Sequence, residues 1–270
     1  MREFKMFIML IFPAVIIGGI LYMGMIEINS IEITTLEVKF KNLPFEGEEQ
    51  TFVQISDIHF RAFSERERKT LKKLKEINPD YIFITGDLVD WTTKKWKELD
   101  QFLEILSRIP KKKIYIVFGN HEHRNKNLKK LIEILKKKEI QILNNRSVLV
   151  DGVYLIGVDD PHLGFDQLDK AVEGVDMKIP KILLAHSPEI FRKVNFNNVL
   201  VLCGHTHGGQ INLPLVSNLI LPLKYDRKYK SGFFGEDYKW LYVNRGIGWT
   251  FLPFRFNAKP EITIIKLKND

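Results

Sequence analysis

The feature that most limits what this chain can become is a repeated grammar: short β-rich apolar runs, each closed by a polar cluster. Thr51–Ser56 leads into Asp57 and His59, Tyr81–Thr85 into Gly86 and Asp87, and Ile114–Phe118 into Gly119, Asn120 and His121. Ile182–Ala185 then leads into His186, and Val199–Cys203 into Gly204, His205 and His207. Between these runs lie amphipathic stretches, so the pattern predicts an α/β sandwich of sheets covered by helices. In covered sheets, loops at the carboxyl ends of strands converge while the strands stay packed, and ligands bind there.

The intervening helices are legible from their caps and periodicity. Ser64 and Glu67 form a capping box ahead of Leu71, Leu74 and Ile77, and Asn78-Pro79 stops that helix. A second helix is expected over about 94–107, with Trp96, Leu99, Phe102, Leu103 and Leu106 inward. A third carries Leu128, Leu131, Ile132 and Leu135 on one face and lysines on the other. The runs Lys111–Lys113 and Lys136–Lys138 read as solvated faces. There is no internal repeat or low-complexity linker, and 270 residues with 45% apolar and 27% charged composition suffice for one large domain.

The amino end follows a different logic. Met6–Ile26 carries no formal charge, and its 21 residues would make a helix about 30 Å long, the thickness of a bilayer core. We therefore expect a single-pass signal anchor over residues 1–26, a juxtamembrane segment with a first strand over 27–50, and the catalytic domain over 51–270. Arg2 and Lys5 before the stretch, with Glu27 and Glu32 after it, place the domain on the extracytoplasmic side. A cleaved signal peptide and a buried core helix are the competing readings. The net charge of +8 favours anionic partners. Cys203, the single cysteine, lies in an apolar run and reads as an inert core thiol rather than a nucleophile.

Five of the seven histidines stand in the strand-end clusters together with aspartates and an asparagine. Asp57 and His59, two residues apart, leave the same side of a strand end and can grip one ion; His205 and His207 repeat the spacing. Mixed imidazole and carboxylate donors suit manganese, iron or zinc and not calcium.

These blocks resemble the calcineurin-like metallophosphoesterases, whose ordered motifs are D-x-H, G-D-x-x-D, G-N-H-[DE], H and G-H-x-H. Here they read Asp57-Ile58-His59, Gly86-Asp87-Leu88-Val89-Asp90, Gly119-Asn120-His121-Glu122, His186 and Gly204-His205-Thr206-His207. The resemblance implies a four-layer αββα sandwich of two mixed sheets and a site for two divalent ions. Asp57, His59 and His207 would hold one ion, Asn120, His186 and His205 the other, with Asp87 bridging. A hydroxide activated between the ions would attack phosphorus in line. His121 would protonate the leaving oxygen or stabilise equatorial charge, and Asp90 would accept a hydrogen bond from His121 and fix its tautomer. A turn-forming role for Asp90 competes with that reading. His123, Arg124 and His162 are further candidates for substrate contact, against surface or loop roles.

Serine/threonine protein phosphatases carry an arginine directly after the second aspartate block, where this chain has Trp91. The carboxyl region instead resembles membrane-associated bacterial phosphodiesterases related to UDP-2,3-diacylglucosamine hydrolases. The matching stretches are 204–211, Tyr242–Gly248 and Pro260–Thr263. Leu213–Lys230 is apolar with a basic edge, which suits either packing on the sheets or a flap in the lipid headgroup layer. The expected substrate is a phosphodiester or pyrophosphate, lipid-linked or nucleotide-linked. A nuclease or general cyclic or nucleotide phosphodiesterase of the same fold and a non-catalytic metal-binding scaffold are the alternatives; scattered lysines without an aromatic stacking stripe disfavour nucleic acid.

Overall fold

The computed structural model describes residues 13–44, 50–213, 222–223 and 228–270. Among the described residues, twelve strands form two six-stranded mixed sheets. The first runs in the order β1 (Glu32–Phe40), β12 (Glu261–Asn269), β2 (Phe52–Ile55), β3 (Tyr81–Thr85), β4 (Lys113–Val117) and β5 (Gln141–Ile142). The second runs β10 (Gly232–Glu236), β11 (Lys239–Val243), β9 (Val199–Cys203), β8 (Lys181–Leu184), β7 (Val153–Gly157) and β6 (Arg146–Val150). Strands β2 to β5 are mutually parallel, as are β7, β8, β9 and β11.

The period of two in each strand sorts side chains between layers. Phe52, Tyr81, Phe83, Tyr115 and Val117 from the first sheet meet Leu155, Ile182, Leu184, Leu200 and Leu202 from the second, filling the space between them. Val53, Ile55, Ile82, Ile84, Ile114 and Ile116 point the other way, onto the helices Glu65–Ile77, Trp96–Ser107 and Leu128–Lys137. On the far face, Leu183, Val201, Cys203 and Val243 pack under Leu168, Ala171, Ile190 and Val194. The layers are therefore those expected of the αββα sandwich. Cys203 is fully buried with no disulfide partner, and burial pushes its thiol well up, as an inert core thiol requires.

The helix limits agree with the sequence signals. The Ser64 amide donates to Glu67 Oε2 at 3.0 Å, and Asn78 closes the helix in the left-handed conformation. The 94–107 helix begins at Trp96, where the first regular turn forms.

Of the proposed span Met6–Ile26, residues 6–12 lie outside the described residues. Residues 13–21 are α-helical, followed by a wider turn, Tyr22–Ile26, and a tight one, Glu27–Asn29. Among the described residues no helix is long and apolar enough to cross a membrane. The following segment is woven into the sandwich: β1 pairs in parallel with β12 over its whole length, and Leu36, Val38 and Phe40 enter the core between the sheets. Most of the Leu213–Lys230 segment, residues 214–221 and 224–227, also lies outside the described residues.

Candidate metal centre

All five motif blocks arrive at one edge of the sandwich, because each follows the carboxyl end of a parallel strand. Asp57 and His59 follow β2, Asp87 follows β3, and Asn120 and His121 open the one-turn helix Asn120–Arg124 after β4. His186 follows β8, and His205 and His207 follow β9. The backbone there is strained. Asp57, His59, Asp87, His205 and His207 all take left-handed φ values, between +45° and +73°. Such a conformation costs a non-glycine residue on the order of 1 kcal/mol or more, and the return is that each side chain turns off its strand toward a common centre. Gly204 is required for close approach: a Cβ there would lie 2.0 Å from Ser56 Oγ and 2.2 Å from Asp57 Oδ2.

The donor atoms form two clusters joined by one carboxylate. Around the first, His59 Nε2 and His207 Nε2 are 3.1 Å apart, and His207 Nε2 is 3.5 Å from Asp57 Oδ1. Around the second, His205 Nδ1 and His186 Nε2 are 3.0 Å apart. Asp87 Oδ2 lies 3.5 Å from His59 Nε2 and 3.2 Å from His186 Nε2, so it faces both. Asn120 is buried, and its Oδ1 has no hydrogen-bond partner among the described residues.

The outward nitrogens show which tautomers the protein favours. His186 Nδ1 donates to the Thr85 carbonyl at 2.9 Å, so Nε2 is the nitrogen turned to the centre; in the cation-free chain Asp87 outweighs burial and holds this ring well above the usual imidazole range, and a cation would take the place of its Nε2 proton. His205 Nε2 donates to the Pro222 carbonyl at 3.1 Å, which leaves Nδ1 inward. His59 Nδ1 faces Asp90 Oδ2 at 3.5 Å. With inward ring nitrogens, the two carboxylates of Asp57 and Asp87 and the orphaned amide oxygen of Asn120, the residues present fit cations.

Charge in the cation-free chain is consistent with that. Burial works to raise Asp87, but His186, His121 and His59 outweigh it and hold the carboxyl well below its usual range. Burial raises Asp57. Burial also holds His205 and His207 well below the normal imidazole range, helped by neighbouring His186 and His59 respectively, so both stay neutral and able to donate.

Above the centre, His121 Nδ1 and His59 Nδ1 each lie 3.5 Å from Asp90 Oδ2. Asp90 forms a turn as well as facing both rings. Its Oδ1 accepts from the Thr92 amide at 2.8 Å, while its Oδ2 accepts from Arg61 Nη2 at 2.6 Å. The cleft over these groups holds about 300 Å³ and is lined by Asp87, Asn120, His121, Arg124, His162, His205 and His207, with Gln210, Ile211, Thr250, Phe251 and Leu252. Arg124 and His162 thus belong to the cleft wall. His123 does not line it: its Nε2 is 2.6 Å from Asp159 Oδ1, and its ring packs on Phe165.

Several contributors carried no role in the sequence reading. Glu122, fully buried, accepts from the amides of Asp87 at 2.9 Å, Gly119 at 2.8 Å and Val89 at 3.0 Å, locking two strand-end loops together. Burial and nearby Asp87 push its carboxyl up to about 7. Its place in the G-N-H-[DE] block was the available signal. Arg255, also fully buried, donates to the carbonyls of Gly248, Ala258, Arg245 and Gly246 and sits 3.3 Å from His207 Nδ1. Burial presses its guanidinium down to about 9. Arg61 and Gln210 join the loop at 249–252 to the centre: Arg61 Nη1 donates to the Trp249 carbonyl, and Gln210 Nε2 to the carbonyls of Thr250 and Leu252. Gln210 stands in the matching stretch 204–211, whereas no local pattern in the sequence marks Arg61 or Arg255.

Fold and pocket together define the class of metal-dependent phosphoester hydrolases. The chain belongs to the calcineurin-like phosphoesterase family, which it matches over residues 50–209. It is 32% identical over 227 residues to the metallophosphoesterase YkuE of Bacillus subtilis, covering 80% of this chain and 78% of that one. It is 31% identical over 204 residues to the phosphodiesterase YaeI of Escherichia coli, covering 71% of this chain and 72% of that one. A transmembrane protein with a metallophosphoesterase domain from Danio rerio is 30% identical over 236 residues, which span 80% of this chain and 52% of the relative. The chain is accordingly an enzyme, a metallophosphoesterase.

Proposed function

We propose that this enzyme hydrolyses a phosphodiester or pyrophosphate bond in a lipid-linked substrate, with a nucleotide-activated diacyl sugar such as UDP-2,3-diacylglucosamine as the type. Asp57, His59 and His207 would hold one cation and Asn120, His186 and His205 the other, with Asp87 between the two groups of donors. The observation that carries this reading is Asp87 Oδ2 lying within 3.5 Å of imidazole nitrogens from both clusters. Two divalent cations, of manganese, iron or zinc type, would polarise the phosphoryl oxygens and lower the pKa of water at neutral pH.

The chain's own residues do the rest. His121, at the cleft floor and oriented by Asp90, is placed to give a proton to the leaving oxygen. Arg124 and His162 flank the centre and can bind the non-reacting phosphoryl oxygens or the second phosphate of a pyrophosphate. Phe251, Leu252 and Ile211 supply an apolar wall suited to a hydrocarbon moiety. The uncharged stretch Met6–Ile26 supports attachment to a membrane with the catalytic body on its outer side.

The full-length chain in detergent provides the test. We expect bound transition metal by elemental analysis, and faster turnover of bis-nitrophenyl phosphate than of nitrophenyl phosphate. Preference for the monoester would overturn the diesterase reading. A metal-loaded protein inert toward both would overturn the catalytic one.

A further inference from the structure

Among the described residues, most exposed large apolar side chains fall into two sets. One set lies on the amino-terminal helix and its turn, where Val15, Ile17, Leu21, Met25 and Ile26 are each more than half exposed. Outside it, ten such side chains are exposed among the described residues; six of them, Trp91, Leu163, Phe165, Leu213, Phe251 and Leu252, stand on loops that leave the sheets at the cleft edge, while Ile33, Leu149, Met177 and Phe233 lie elsewhere. Phe251 is 93% exposed, yet it and Leu252 also line the cleft.

The two sets are joined. The Phe254 ring packs against the backbone of Gly24, where an added Cβ would meet it at 2.8 Å. The Arg255 amide donates to the Met23 carbonyl at 3.2 Å, and buried Glu27 accepts from the Ala258 amide at 3.0 Å. The helix end is therefore fastened to the same loop that carries Phe251 and Leu252.

Building on the lipid-linked substrate proposed above, we propose that the cleft rim is a membrane-docking surface that rests in the outer part of a lipid leaflet. The scissile phosphate then reaches the metal centre without the acyl chains leaving the bilayer. The occupant is lipid because the exposed helix set belongs to the stretch Met6–Ile26, 21 residues without formal charge, a length and composition that suit the hydrocarbon of a bilayer. Trp91 and Trp249 at the rim have the amphipathic character favoured at headgroup depth. Arg61 stacks 3.8 Å over Trp249 and donates to Asp90, so the rim also bears on the catalytic histidine.

The test uses the buried state of Cys203, the single native cysteine, which leaves an introduced thiol free for selective labelling. Full-length Phe251→Cys carries an environment-sensitive fluorophore and is reconstituted into phosphatidylethanolamine and phosphatidylglycerol vesicles containing lipid spin-labelled near the headgroup. Lys137→Cys, on the helix end at the opposite edge, is the control. We expect the label at 251 to lose most of its fluorescence and the label at 137 to lose none. An unquenched label at 251, whether open to water or covered by a second copy, overturns the proposal, as does equal quenching at both sites. Turnover of bis-nitrophenyl phosphate by the unlabelled chain in the same vesicles tests the phosphoesterase reading separately.

Discussion

At the residue scale, the centre is organised by what stands behind each imidazole. His186 and His205 are each held by one backbone carbonyl, so the nitrogen that faces inward is decided before any cation binds. His121 differs, because its outward partner is a carboxylate also gripped by Arg61 and Thr92. If His121 protonates the leaving oxygen, its loss matters most when that oxygen is a poor leaving group. His121→Ala should slow hydrolysis of an alkyl diester by about 10²-fold or more with cations retained, and a nitrophenyl diester by much less. Arg61→Ala should show the same leaving-group dependence with smaller amplitude, because it acts by fixing Asp90. Equal losses on both substrates would reduce Arg61 to a packing role. The motif blocks pointed to His121 and Asp90, whereas Arg61, 29 positions from Asp90, had no local pattern to mark it.

At the element scale, the carboxyl ends of the strands combine strain with cross-bracing. The left-handed residues at 57, 59, 87, 205 and 207 hold because neighbouring loops pin them, and Glu122 is the clearest brace. Glu122→Ala leaves three backbone donors without an acceptor. At about 1 to 3 kcal/mol for each buried unpaired group, the loss should reach about 3 kcal/mol or more, read from the shift of the urea midpoint. At the opposite end of β8, Lys181 is buried with its ammonium on the carbonyls of Met177 and Ile179, and burial presses it down to about 8. Its folded pKa lies below its unfolded one, so between about pH 8 and 10.5 the unfolded chain binds more protons and stability rises with pH. Denaturation of the wild type against Lys181→Met should show this relative gain across that window and a flat difference below it. Strand limits were legible because apolar runs of period two end at polar residues. The left-handed φ values were not, since nothing local asks an aspartate or histidine to adopt them.

At the scale of the whole molecule, residues separated by about 150 positions meet because the parallel strands of two sheets deliver their ends to one edge. Gln54 ties the sheets just beneath the centre, donating to Thr85 Oγ1 and to the Cys203 carbonyl, both at 2.9 Å. Cations binding only the folded chain would add to its stability by mass action, by about 2.7 kcal/mol at roughly a hundredfold excess over Kd. Stripping them with a chelator should lower the melting temperature by several degrees, and restoring manganese or zinc should recover it. An unchanged melting curve would mean that the clustered donors hold no ion.

The sequence alone determined the five strands that end in polar clusters, the three helices named above and the chemical types at those strand ends, because hydrophobic periodicity and short motifs are local properties. It determined also that a metal-dependent phosphoester hydrolase was at hand. Only the tertiary structure decided that Asp87 faces both clusters, that carbonyls set the tautomers of His186 and His205, that His123 turns to Asp159, and that buried Glu122 and Arg255 and partly buried Arg61 brace the site. Those facts depend on which distant backbones come within hydrogen-bond reach, and that is fixed by packing two sheets together and not by any neighbourhood along the chain.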